Sequence, residues 1–319
     1  MRAVVLCGGF GGAKLAHGLQ LALPDPAREL TAIVNTADDL EVHGLHVSPD
    51  LDTVMYTLAG WANTATGWGV RDETWSAAEM LAGYGEPTWF RLGDRDLATH
   101  IVRTDRLRAG GRLTDVTADL ARSLGVPGRL LPMTDDRVRT RLRTSAGWLD
   151  FQTYFVERGH ADDVLELAFD GLAEARPGPE VLAALKTAQV VVLAPSNPFV
   201  SLGPILGLDR VVEAIVASGA RVVGVSPIIG GAAVRGPADR MFATLGGEAS
   251  ALGVARHYAE RYPGLVDGWL IDGVDAAQAR AIEALGVRVR AVGTLMVDAS
   301  DRGRVALELL DLARQAVAA

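Results

Sequence analysis

Ala3-Val4-Val5-Leu6-Cys7-Gly8-Gly9-Phe10-Gly11-Gly12-Ala13-Lys14 decides how the rest of the chain is read. Its apolar start is the run that a parallel strand buried on both faces requires. Glycines at 8, 9, 11 and 12 follow, and Leu15, Leu19 and Leu23 then recur at helical spacing until Pro24. A second apolar run spans 30–34 and ends at Asn35. The same theme returns at 190–193, 221–225, 269–271 and 287–292, with helical patterns at 205–216, 249–258, 276–285 and 302–317. Strands alternating with helices predict an α/β fold, a Rossmann-like, doubly wound, mostly parallel sheet.

The middle breaks the rhythm. Helical patterns occupy 51–58, 73–81, 96–107 and 114–124. Apolar and polar residues alternate over 137–157 on either side of Ser145-Ala146-Gly147, a hairpin pattern. We read 1–319 as a single domain, with about 50–180 forming an inserted helical and β-hairpin subdomain; no Pro/Gly/Ser linker flanks it.

Bulk composition removes several functions. The chain has 319 residues, 49% of them hydrophobic, and a net charge of −8, which argues against broad capture of nucleic acid. One cysteine, Cys7, excludes an internal disulfide and a Cys-rich metal site. No apolar run approaches the ~20 residues of a membrane helix. The first residues lack the pattern of a signal peptide, so a cytoplasmic location is expected. Only Lys14 and Lys186 are lysines among 31 basic residues.

Open α/β sheets bind ligands beyond the carboxyl ends of their strands, so the loops there carry the chemistry. In the first, glycines permit close approach to a phosphate at a helix N-terminus, and Lys14 adds a charge. No hydroxyl follows Lys14 to reach Mg²⁺, which defeats a P-loop reading. Asn35 stands where a dinucleotide fold would have an acidic ribose anchor. The second loop packs Asp38, Asp39, Glu41, Asp50 and Asp52 into 15 residues. Such a cluster suits a hard cation, although Asp50 and Asp52 also stand where helix capping uses carboxylates. His43 and His46, in the same loop, read as hydrogen-bonded rather than as ligands. Ser196, Asn197 and Ser201 form a third loop with exposed N–H groups, and Gly230, Gly231 and Arg235 a fourth. Four of the six tryptophans fall between 61 and 95. Aromatics at helical spacing are usually core; Trp68, in a glycine-flanked loop, is the better stacking candidate.

Taken together, the 8–14 loop, Asn35–Asp39, Ser48–Thr53, Leu92–His100, Leu131–Asp136, Ala194–Pro198 and Ser226–Gly231 resemble the 2-phospho-L-lactate transferase (CofD) family of coenzyme F-420 biosynthesis, over essentially the whole chain. The resemblance implies Mg²⁺-dependent transfer of a phospho-three-carbon-acid group from a guanosine diphospho-linked donor to the ribityl hydroxyl of the deazaflavin Fo, with GMP released. The acid is phospholactate, an enolpyruvyl phosphate or a phosphoglycerate equivalent. It also implies a homodimer. By the same resemblance, Asn35, Thr36, Asp39, Asp52 and Arg91 face the deazaflavin. Gly9, Gly11, Gly12 and Lys14 form the diphosphate loop, and Ser196, Asn197, Ser201, Gly230, Gly231 and Arg235 contact the nucleotide. Asp38 and Asp52 take the catalytic roles, with Asp38, Asp50 and Asp52 as the Mg²⁺ set. The rival is a nucleotide-sugar-binding regulator of the same superfamily, which binds without turnover.

Overall fold

A computed structural model describes residues 1–315. Seven strands build its central sheet: β1 (Ala3–Cys7), β2 (Leu30–Val34), β3 (Arg129–Pro132), β4 (Val190–Leu193), β5 (Arg221–Val225), β6 (Gly268–Asp272) and β7 (Arg288–Val292). Their order is β3-β2-β1-β4-β5-β6-β7, and every pairing is parallel. The order in which strands are added reverses between β1 and β4, the switch point where doubly wound sheets open a crevice. Cys7 lies opposite Val34, and Leu6 opposite both Ile33 and Leu193, so the ends of β1, β2 and β4 are level. The loops starting at Gly8, Asn35 and Ala194 therefore leave the sheet side by side.

Alternate residues of β1 feed two cores. Ala3, Val5 and Cys7 pack with residues of α1 (Gly9–Ala22), α2 (Pro49–Leu58) and the C-terminal helix Ala299–Gln315. Val4 and Leu6 face the opposite side, with Val181, Ile205, Ile215 and Val254 from helices there. A strand buried on both faces has no solvent side, which explains its unbroken apolar sequence. The expected end of the last helix, Val317, lies outside the described residues.

The structure divides the 50–180 stretch. Its helices include α2 and α3 (Asp94–Arg108), but Arg129–Pro132 returns to the main sheet as edge strand β3, paired with β2. Pro132 ends that short run, which hid it from a reading based on apolar length. The hairpin is Arg139–Thr144 with Gly147–Asp150, and Glu166–Asp170 joins as a third antiparallel strand. It stops before Glu157. Phe151, Tyr154 and Phe155 follow a helical spacing, and Thr153–Glu157 forms a π-helical turn. The helix expected over 205–216 is broken: Gly203–Gly207 and Val211–Ser218 are separate, with Arg210 in the left-handed region between them (φ 67).

Candidate active site

A cleft of ≈ 680 Å³ opens above the switch point, lined by the loops that follow β1, β2, β4, β5 and β7 and by residues 67–69, 89–91 and 151–160. The glycine loop forms its floor. A Cβ on Gly11 would stand 2.6 Å from the Pro195 carbonyl, and one on Gly12 would stand 2.6 Å from Ser196 Oγ, so the loops after β1 and β4 approach only because both are glycine. Ser196 completes the seam: its Oγ donates to Gly8 O (2.7 Å) and lies 3.1 Å from the Gly8 N–H. Gly9 begins α1, and its N–H donates to Asp50 Oδ1 (2.8 Å).

Asp38 and Asp50 meet across Asn35. The Asn35 amide donates from Nδ2 to Asp38 Oδ2 (2.9 Å) and to Asp50 Oδ2 (3.1 Å). Asp38 Oδ1 is buried without a hydrogen-bond partner. Burial pushes the Asp50 carboxyl up to about 6. Burial and the adjacent Asp50 charge push Asp38 well above the usual carboxylate range. Two acids in low dielectric, joined by a neutral amide, resist double ionisation unless a cation arrives. An orphaned oxygen and an all-oxygen donor set fit a hard divalent ion that keeps ligand phosphates in its shell. Among the described residues no group of three or more His, Cys, Asp or Glu is arranged to hold a metal.

Asp52 lies in a different environment. Its carboxylate forms a bidentate pair with Arg103 of α3, through Nη1 (3.0 Å) and Nη2. Arg103 is 1% exposed. The same Nη1 is 3.3 Å from His100 Nδ1; a guanidinium only donates, so Nδ1 accepts and Nε2 carries the proton, 3.2 Å from Asp96 Oδ1. Tyr56 donates its hydroxyl to Asp96 Oδ1 (2.7 Å). Burial opposes ionisation of Asp96, but His100, Tyr56 and Arg103 outweigh it and hold its carboxyl below the usual value.

The remaining expected site residues are distributed as follows. Arg91, Lys14 and Arg235 line the cleft, as do Gly9, Gly11, Ser196, Asn197 and Ser201. Each of the three cations lies over an aromatic ring: Arg91 on Trp75 (4.3 Å), Lys14 and Arg235 on Phe10 (4.5 and 5.1 Å). Among the described residues none of them reaches a carboxylate. Lys14 Nζ donates to Met296 O (2.6 Å), and burial together with Arg302 and Arg235 lowers its pKa. Asn197 accepts from the Phe199 and Val200 N–H groups through Oδ1, capping the next turn. Gly12, Asn35, Thr36 and Asp39 are buried off the cleft. Asp39 turns away, accepting from Ser48 Oγ (2.8 Å) with His46 Nε2 at 3.0 Å. Gly230 and Gly231 lie off the cleft in a hairpin turn, where the Gly230 N–H donates to Asp275 (3.0 Å).

Sequence reasoning missed Arg103, His100, Asp96 and Tyr56. Their signal was spacing: Asp96, His100 and Arg103 occupy i, i+4 and i+7 of α3, and Asp52 and Tyr56 occupy i and i+4 of α2, polar stripes pointing inward.

A parallel sheet with a glycine-floored cleft at its switch point, lined by cations and by the buried Asp38 and half-buried Asp50, defines the class: a Rossmann-like α/β protein. The family model described as 2-phospho-L-lactate transferase CofD matches residues 3–299, and the chain belongs to this transferase family. It is 47% identical to a phosphoenolpyruvate transferase of Streptomyces griseus subsp. griseus, covering 99% of both chains. It is 43% identical to a phosphoenolpyruvate transferase of Nocardia farcinica, covering 98% of this chain and 95% of that one. A UPF0052 family structure from Bacillus halodurans shares the fold, with a TM-score of 0.66 at 18% identity over 97% of this chain and 98% of that one. No helix among the described residues is long and apolar enough to cross a membrane.

Proposed function

We propose that this protein moves an enolpyruvyl phosphate group from a guanosine diphospho-linked donor to the terminal ribityl hydroxyl of the deazaflavin Fo in coenzyme F-420 biosynthesis, releasing GMP. The observation that carries the reading is the Asp38–Asp50 pair beside the α1 N-terminus, in a cleft also lined by three cations without carboxylate partners among the described residues. The choice of acid rests on the relatives named phosphoenolpyruvate transferase, which match along the whole chain.

In this reading the diphosphate lies over the glycine loop, where the α1 N-terminus and Lys14 oppose its charge. Asp38 and Asp50 would hold Mg²⁺, which when bound neutralises charge growing on the diphosphate oxygens. Asp38 Oδ1, with no hydrogen-bond partner of its own, accepts the hydroxyl proton. The ribityl oxygen forms a bond to the enolpyruvyl-bearing phosphorus as the bond to the GMP phosphate breaks. Asp52, fixed by Arg103, orients the polyol chain. Positioning and charge neutralisation supply most of the rate. The enzyme works as a cytoplasmic homodimer without nucleic acid or membrane, and light scattering of the purified protein tests the dimer.

The deciding experiment incubates the protein with Fo, Mg²⁺ and guanosine diphospho-linked donors of enolpyruvate, lactate and glycerate, then weighs the products. An enolpyruvyl adduct with GMP is expected. A lactyl adduct alone would replace the acid, and no adduct from any donor overturns the transferase reading.

A further inference from the structure

The turn that carries Asp38 is held by a part of the chain that has no role in the reaction described above. Thr36 to Asp39 form a tight turn: the Asp39 N–H donates to Thr36 O (3.3 Å), and the Ala37 N–H donates to Asn35 Oδ1 (3.0 Å). The carbonyls of Ala37 and Asp38 take no part in those two bonds. In a surface loop water would satisfy them. Here both residues are buried, and both carbonyls find protein donors.

Those donors come from the inserted hairpin, one from each side of it. The Thr140 N–H, on the arm Arg139–Thr144, donates to Ala37 O (2.8 Å). Gln152, two residues beyond the arm Gly147–Asp150, donates from Nε2 to Asp38 O (3.0 Å), across 114 residues of sequence. The arms are tied to each other, with Arg141 opposite Asp150 and Leu142 opposite Leu149. Leu142 and Tyr154 are buried in a small core of their own with Val164, Val200 and Met241. Val200 lies in the segment after β4, so the hairpin is braced against the same group of loops that floors the cleft.

Asp38 is thus held by two neutral amides. Asn35 Nδ2 holds its carboxyl, and Gln152 Nε2 holds its main-chain carbonyl. Neither amide adds a charge, so both place the carboxyl without neutralising it. Gln152 is buried at the edge of the cleft. Its Nε2 turns to the main chain of the Asp38 turn, which is the direction a positioning group takes.

We infer that Gln152 is a positioning residue for proton transfer at Asp38, acting through the Asp38 carbonyl. Without the amide, that carbonyl is a buried acceptor with no donor, a state the chain relieves by moving. A shift of about 1 Å at a reacting group can cost about 10²-fold in rate. This role rests on the transferase reading and on Asp38 as the proton acceptor.

Gln152→Met keeps the length of the side chain and removes the donor; Gln152→Leu removes it with a different shape. Each is made alone and combined with Asp38→Asn, and steady-state rates per mole of folded protein are measured beside thermal melts. We expect either Gln152 variant to lower kcat about tenfold or more, with KM for Fo and for the donor within about twofold of wild type. In the Asp38→Asn background the same change should lower kcat by less than about twofold, because residues that act as a unit do not add. Equal losses in the two backgrounds overturn the inference. A raised KM with wild-type kcat overturns it too, and makes Gln152 a substrate contact. A lower melting temperature with wild-type kcat, or failure of both variants to fold, makes its role structural alone. In each of these cases the transferase reading stands. If wild type yields no adduct from any donor, that reading falls and the positioning role with it.

Discussion

Two pairs of acids share one cleft and have opposite electrostatic environments. Asp38 and Asp50 are joined by the neutral amide of Asn35 and lack a cation, and burial raises both pKa values. Asp52 and Asp96 are matched by Arg103 and His100, and Asp96 is held below the usual value. The partner, not burial alone, separates them: Asp52 has the Arg103 guanidinium as a built-in countercharge and Asp96 accepts from Tyr56 beside His100, whereas Asp38 and Asp50 share only a neutral amide. The first pair can take a proton or a metal ion; the second is a fixed scaffold.

The largest expected effect tests the first pair. Asp38→Asn keeps the shape and the Asn35 contact but cannot accept the hydroxyl proton, so turnover should fall roughly 10²–10⁴-fold, although removing a carboxyl whose ionisation burial opposes leaves the melting temperature at neutral pH no lower than wild type. Steady-state rates near wild type at saturating Mg²⁺ would remove Asp38 from the chemistry.

Arg103→Met should act on the fold. It leaves Asp52 buried without its countercharge, a loss of about 3–5 kcal/mol, read as a lower denaturation midpoint. Asp52→Asn should destabilise similarly by stranding Arg103, so its activity must be compared at equal folded fraction. A variant as stable as wild type would show that the pair is not buried as described.

The third test uses pH. Asp50 binds its proton more tightly in the folded chain, at about 6, than when unfolded. The stability it contributes is therefore full below about pH 4 and is lost as pH rises through the folded value. Without divalent cations, the gain in melting temperature of Asp50→Asn over wild type should widen between pH 4 and 7, and Mg²⁺ should narrow it at pH 7. A constant difference would mean that the site already holds its charge comfortably.

The smallest effect should come from Tyr56→Phe. It removes one hydrogen bond to a buried carboxylate, about 1.5–3 kcal/mol, and thermal melts should show it with little change in turnover. A larger loss of activity than of stability would move Tyr56 from scaffold to substrate contact.

Much of this was legible in the sequence because local chemistry determined it. β1, β2, β4 and β5 match the runs residue for residue, since strands covered on both faces are dominated by apolar residues, with only Thr31 inside β2 and Arg221 at the start of β5 as polar exceptions. The glycine loop was legible because only glycine permits that approach. β3 was not, because an edge strand of four residues ending in proline carries too little apolar signal. The five clustered carboxylates pointed to the site, but not to which of them would find a partner.

By itself, the sequence determined a parallel α/β sheet, the loops at its carboxyl end and the membership of the family. Tertiary structure alone decided that Asn35 would bridge Asp38 and Asp50 while Arg103, about fifty residues further along than Asp52, would neutralise that acid. The physical reason is range. Hydrophobic periodicity and glycine geometry act between neighbours in the chain, whereas the charge state of a buried carboxylate depends on whichever side chain the fold brings within hydrogen-bonding distance.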